Sequence, residues 1–485
     1  MFAILLFRIT ITDERNGKTN AEDCTYTESD EYVQKQNSYT GGIFMGDIRF
    51  SDYVPFDPSI QVFSASEGSA IVPPEFRGLQ AFEYSGWWNE MLASHEGCYI
   101  HAGLQPAATY YSKGKGSLKM FSDVCVNSFE NFRIGTGKHA IMCNEDGYII
   151  KDGMLLRLSE DEFISFWMLP YIDYVYQNGN YEDCVSEDIT GKVFFYQLAG
   201  PTSLDLVEKV TGEEFHSLKF SNFRMAEIDG RRVMILRMGM AGSLAYEVHG
   251  RIEDALYVYN KLIEAGKDYK ITKIGKHTYR NVHTEGGFPQ QSLHFTSVIT
   301  DPGYIKYMTE KGLTGAKLEF SGSVGDNIID HCVRPGDVGW SRIVKFDHDF
   351  VGKAALEKTM EKPEKAPATL VWDKDDILDV WASMFDRDNE PYALMDVVED
   401  FSYSKGHLEL HADKVFAGEK EIGVSSGRMF SASGREMISL GFIDPEYAVP
   451  GTELGILWGN PGKRQKMIKA IVGQYPYLDE GGHAK

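Results

Sequence analysis

Apolar positions in this chain come in short runs whose period changes from one segment to the next. Residues 163–168 and 193–198 are aromatic and β-branched runs too short for helices, and they predict strands. Leu204, Val207 and Val210 recur at helical spacing within residues 203–210, and residues 252–265 carry a longer helix-like pattern. Between the second strand and the first helix, Ala199-Gly200-Pro201 predicts a sharp turn, because glycine permits close approach and proline suits a first helical turn. Residues 144–153 predict a tight hairpin leading into a strand. The pattern over residues 76–362 is therefore α+β.

A charged, proline-bearing segment at residues 361–367 predicts a boundary, and strand-like alternation at 421–427 and 437–443 follows it. Residues 368–485 are expected to form a small β-barrel or sandwich. Ahead of the body, residues 1–75 are polar and turn-rich after an apolar start, and predict an arm that wraps the body, its aromatic residues equally suited to cap a ligand site or bind a neighbouring subunit.

Composition narrows the partners. With 43% hydrophobic and 13% aromatic residues, the 485-residue chain can build two or three sizeable cores and wall a pocket for a flat ligand. Its formal net charge of -22, with no compensating basic run, opposes nucleic acid and anionic membrane as partners. Cys24, Cys98, Cys125, Cys143, Cys184 and Cys332 are dispersed without the spacing of zinc or iron–sulfur ligands, so no metal is expected. The apolar start at residues 1–7 is too short to span a bilayer and lacks the features of a signal peptide. Cytoplasm is the expected location.

Candidate chemistry concentrates in residues 275–289, where His277, Tyr279, Arg280, His283 and Glu285 fall among three glycines and a closing proline. The glycines and proline are expected to end any helix that begins inside the stretch, in a turn that holds polar groups at a cavity wall or in an ordinary surface loop. Asp152, flanked by Lys151 and Gly153, reads either as a site carboxylate or as a turn residue.

Five ordered segments carry a family likeness. They are Gln197-Leu198-Ala199-Gly200-Pro201; Gly239-Met240-Ala241-Gly242 followed by Ala245-Tyr246-Glu247-Val248; residues 275–289; residues 344–356; and residues 441–454. Over roughly residues 70–475 the chain resembles the aminomethyltransferase family, the folate-dependent T-protein group of glycine cleavage. Within it the chain is most similar to the tetrahydrofolate-dependent O-demethylases of vanillate, syringate and 3-O-methylgallate, since Tyr279 stands where those demethylases have a catalytic tyrosine and T-proteins more often have arginine.

The resemblance implies a multidomain folate-binding body with two subdomains at 76–362 and a C-terminal β-barrel. It implies tetrahydrofolate as cofactor and a small methylated, methoxyaromatic substrate. Glu247 is implied to clamp the pterin; Phe220 and Phe288 are candidate walls or core residues, and Arg237 is a candidate for the folate tail or for an ordinary ion pair. On the substrate side, Met168 replaces an arginine of the vanillate enzyme, Gln105-Pro106 replaces a His-His pair, and Lys151-Asp152 stands where T-proteins have two aspartates. These departures leave aminomethyl transfer, N- or S-demethylation of a small donor, and folate binding without turnover as alternatives. His277 and His283 are expected to be hydrogen-bonded structural histidines, and Arg280 to stabilise a phenolate or face solvent.

Overall fold

A computed structural model describes residues 50–55, 57, 62–65, 79–102, 105–239, 242–313, 318–395, 401–402 and 407–478. Most of the arm expected at residues 1–75 lies outside the described residues. Of the part described, Tyr53 and Val54 are buried in the first core, and the Tyr196 hydroxyl donates to the Tyr53 carbonyl at 2.8 Å.

The first core belongs to a six-stranded sheet in the order Phe223–Ile228, Arg231–Leu236, Ala245–Arg251, Val193–Ala199, Cys98–His101, Ile271–Lys273. All its pairs are antiparallel except the last. Successive side chains of a strand point to opposite faces, and this alternation sorts the sheet. Phe194, Tyr196 and Leu198, with Tyr246 and Val248, face the helices Ser203–Thr211 and Ala255–Gly266. Phe195, Gln197 and Ala199, with Ala245, Glu247 and His249, fall on the other face. That face is covered too, so Val193–Ala199 is buried throughout and reads as a continuous apolar run.

The covering layer is a five-stranded antiparallel sheet, in the order Thr136–Cys143, Ile149–Arg157, Glu162–Phe166, Thr109–Lys113, Val185–Asp188. Tyr111, Leu156, Ile164 and Phe166 from it pack against Phe195, Met234 and Leu236 of the first sheet. Its outer face, with Tyr110, Leu155 and Phe163, closes over the helices Ser117–Ser122 and Tyr171–Asn178.

Six strands near the C-terminus form a closed antiparallel barrel. His407–Ala417 pairs with Lys420–Ser431, then follow Glu436–Ile443, Ala366–Trp372, Lys466–Val472 and Glu453–Trp458, and the last pairs back with His407–Ala417. Closure leaves no unpaired edge, which settles the barrel-or-sandwich alternative. Two further strands pair with His407–Ala417 outside the barrel, Leu318–Ser321 in parallel and Phe401–Ser402 antiparallel.

The predicted strands, helices and hairpin all occur, at Glu162–Phe166, Val193–Ala199, Ser203–Thr211, Ala255–Gly266 and Ile149–Arg157. Gly200 makes the predicted turn at φ +119°, and a Cβ there would sit 2.4 Å from the Gly97 carbonyl oxygen.

Residues 275–289 require a correction. They do not form a turn: Lys276–Glu285 is an α-helix, buried from His277 onward, wedged between the helix Trp87–Glu96 and barrel strand Lys420–Ser431. Its start is fixed by Glu90, which accepts from the Gly275 N–H at 2.8 Å and the Thr278 hydroxyl at 3.0 Å, a carboxylate at the positive end of a helix. The glycines end it as expected, with Gly287 at φ +65° and the Phe288 N–H returning to the His283 carbonyl.

Candidate active site

Tyr279 and His283 lie one turn apart on this site helix and share a side of it. The Tyr279 ring stacks on His101 with centroids 4.1 Å apart and planes 12° from parallel, and meets the His283 ring edge-on at 4.7 Å. His101 and Tyr99 come from strand Cys98–His101, where Cys98 and Ile100 fill the helix-side core and the alternation turns Tyr99 and His101 to the other face. Burial, then the nearby Tyr99, Glu247 and Asp152, push the Tyr279 hydroxyl far above the usual phenol range. It is therefore protonated at neutral pH.

The two carboxylates arrive from the two sheets. Glu247 is held by His249, whose Nε2 lies 2.9 Å from Oε2, and His249 is itself seated between the Phe166 and Phe195 rings at 5.0 and 5.3 Å. Asp152 lies on the same face of its strand as Met154 and Leu156, toward the first sheet, and meets His139 Nε2 at 2.8 Å. His139 lies edge-on to Trp340 at 4.6 Å and is tilted against Phe288 at 5.5 Å. Phe288 also reaches His283, at 5.8 Å. Rings and acids thus form one continuous wall, from His101 through Tyr279, His283 and Phe288 to His139 and Asp152.

The remaining expected residues are placed further off. Phe220 and Arg237 are held together by the Ser221 N–H donating to the Arg237 carbonyl at 2.8 Å. Arg237 follows Leu236, the partner of Glu247 across the sheet, and its guanidinium donates to the Leu218 carbonyl at 2.9 Å. Phe220 packs on the cluster between the sheets. Gln105 is buried and its amide donates to the Phe195 carbonyl. Met168 is fully buried in the outer core of the second sheet, and is not brought to the Tyr279 cluster.

The two histidines of the site helix divide. His277 is structural as expected: its Nδ1 lies 2.7 Å from Glu83 Oε1 and its ring stacks on Phe82. His283 is not: it is 1% exposed, and neither ring nitrogen meets a partner at full hydrogen-bonding geometry among the described residues, although the Phe288 backbone lies near enough to raise its proton affinity. Burial lowers its proton affinity to a pKa of about 4, and burial followed by the nearness of His283 lowers His101 to about 3. Arg280 does not face solvent; on another side of the helix it lines a separate cavity of about 270 Å³ with Trp87, Asn281, Thr284, Arg428 and Phe430.

Residues 72–300 match the family model described as the GCVT N-terminal domain. The chain is 40% identical over 430 residues to a sesamin methylene transferase of Sinomonas sp., covering 86% of this chain and 92% of that protein. It is 30% identical to a syringate O-demethylase of Sphingobium sp., covering 84% and 91%. The chain belongs to the aminomethyltransferase family. An aminomethyltransferase of Halothermothrix orenii is 23% identical over 81% of this chain. In fold, the chain matches the glycine cleavage aminomethyltransferase T of Bartonella henselae with a TM-score of 0.61 over 87% of its length, at 16% identity.

The aminomethyltransferase family is folate-dependent, and the residues present suit a pterin. His101 Nδ1, Arg237 Nε, Ser243 Oγ, His249 Nδ1 and both nitrogens of His283 are buried polar atoms that meet no partner at full hydrogen-bonding geometry among the described residues. Such groups are costly unless something bonds them, and a flat heterocycle edged with donors and acceptors has the chemistry to do so. Glu247 meets His249 through Oε2, and a carboxylate so fixed is suited to accept N–H donors.

His101, His139 and His249 were not singled out in the sequence. The signal for His101 was a strand only four residues long, and for His139 a cross-strand partner of Asp152 that only the hairpin register reveals.

Proposed function

We propose that this protein is a tetrahydrofolate-dependent O-demethylase that moves the carbon of an aryl ether to N5 of tetrahydrofolate and releases a phenol. The observation that carries this reading is the buried Tyr279 hydroxyl, stacked on His101 and kept protonated first by burial and then by the nearby Tyr99, Glu247 and Asp152. The 30% identity to a syringate O-demethylase supports it.

An aryl ether is inert because aryloxide leaves poorly. Tyr279 answers this by giving its proton to the ether oxygen as the carbon–oxygen bond breaks. A departing phenolate beside Tyr279 feels the same burial and the same carboxylates, so the two proton affinities rise together and stay matched. Stacking on His101 fixes the plane of the Tyr279 ring, and therefore the line along which the proton moves. Glu247 holds the amino-pyrimidine edge of the pterin, Phe288 walls the site, and Arg237 with Phe220 stands on the side of the folate tail. Tetrahydrofolate supplies the nucleophilic nitrogen that accepts the carbon.

A second donor class shares this machinery. The 40% identity to a sesamin methylene transferase favours a methylenedioxyarene, in which two oxygen–methylene bonds break to leave a catechol, instead of the one oxygen–methyl bond of a methoxyarene. The test is incubation of the enzyme with tetrahydrofolate and a panel of methoxyarenes, syringate included, and methylenedioxyarenes, sesamin included. Methylfolate or methylenefolate formed together with a phenol is expected; neither product from any member, in a folded sample that binds folate, refutes the proposal.

A further inference from the structure

We propose that His283 is the proton acceptor of the transfer, taking the proton that the folate amine loses as it gains the carbon. The inference rests on the O-demethylase reading and adds a catalytic residue to it. The reaction must move one proton from an amine N–H to an aryl oxygen, and Tyr279 accounts for only the second half of that path. Tyr279 gives its proton to the aryl oxygen, which keeps the electron pair of the broken carbon–oxygen bond. His283 takes the amine proton and passes it back to restore Tyr279, so no external acid or base is consumed.

Three observations carry the assignment. Neither buried His283 nitrogen meets a partner at full hydrogen-bonding geometry among the described residues, the Phe288 backbone lying near enough to raise its proton affinity, and an imidazole N–H so poorly bonded costs stability. The ring stands edge-on to Tyr279 at 4.7 Å, within the same wall. By contrast, His294 has both nitrogens engaged, with Nδ1 accepting from the Gln290 N–H at 2.9 Å and Nε2 lying 3.0 Å from the Thr284 hydroxyl, and His277 is bound to Glu83. The titratable and charged groups around His283 are Tyr279, His101, Asp152 and His294. Burial keeps the imidazole neutral, as an acceptor requires.

Two measurements on the full-length protein test the proposal. In the first, tetrahydrofolate alone is titrated into protein carrying ¹⁵N-labelled histidine while intrinsic fluorescence reports binding. The His283 ring nitrogen resonances, assigned by their loss in His283→Gln, are expected to shift on saturation. Folate binding that leaves them unmoved overturns the proposal but not the O-demethylase reading, whereas absence of folate binding overturns both. In the second, His283→Gln and His283→Ala are assayed with the best donor of the panel. At saturating folate a kcat loss of about 100-fold or more is expected, with partial rescue of the alanine variant by imidazole. A folded glutamine variant that keeps kcat within about threefold overturns the assignment.

Discussion

Tyr279→Phe isolates the proton donor. The substitution keeps the ring, its 4.1 Å stack on His101 and its edge contact with His283, and removes one oxygen. Because the site is buried and the ring stays, stability should change by no more than about 1 kcal/mol, the net scale of one hydrogen bond. The rate should change far more. General acid assistance contributes about 10²- to 10⁴-fold, which is about 3 to 5 kcal/mol in the barrier. Steady-state formation of the folate product, folate affinity by fluorescence titration and a thermal melt are measured side by side. The expected result is kcat lower by at least about 100-fold, with affinity and melting temperature close to the parent. A folded variant with kcat within about threefold of the parent refutes the role of Tyr279 as acid.

Two further predictions follow from the same geometry. His283 and His101 have folded-state pKa values depressed to about 4 and about 3, so below pH 6.5 the unfolded chain binds their protons first and stability falls as pH falls toward those values. For His283 alone the loss is on the order of 3 kcal/mol; thermal melts from pH 7 to 4 should therefore fall less steeply for His283→Gln than for the parent, and equal slopes count against a buried neutral imidazole. Glu247→Gln keeps the shape of the side chain but removes the charge that receives the pterin edge, and should weaken tetrahydrofolate binding about 10- to 100-fold by fluorescence titration; unchanged affinity removes Glu247 from the cofactor site.

Much of the scaffold was legible in the chain because each regular element announces itself by a period. Val193–Ala199 read as a strand from its unbroken apolar run, and Ala255–Gly266 as a helix from its stripe. The site helix was illegible for a physical reason. Its polar residues look solvated in isolation, yet Thr278 bonds Glu90, His277 bonds Glu83, Thr284 donates to the Gly427 carbonyl, and Glu285 accepts from Ser431. Every one of those partners is distant in sequence, so local pattern sees only a polar, glycine-flanked stretch. Glu247, and the role of Tyr279, entered through family likeness, not through spacing. Met168 shows the converse limit: an aligned position marked it for the substrate, while packing places it in the outer core.

The most direct measurement follows the carbon itself. A methoxyarene labelled with ¹³C in its methyl group is incubated with the enzyme and tetrahydrofolate, and the products are read by NMR. The label is predicted to appear as an N5-methyl of folate in equal amount to the phenol released. A phenol released with its label in methanol or formaldehyde, and none on folate, contradicts transfer to the cofactor.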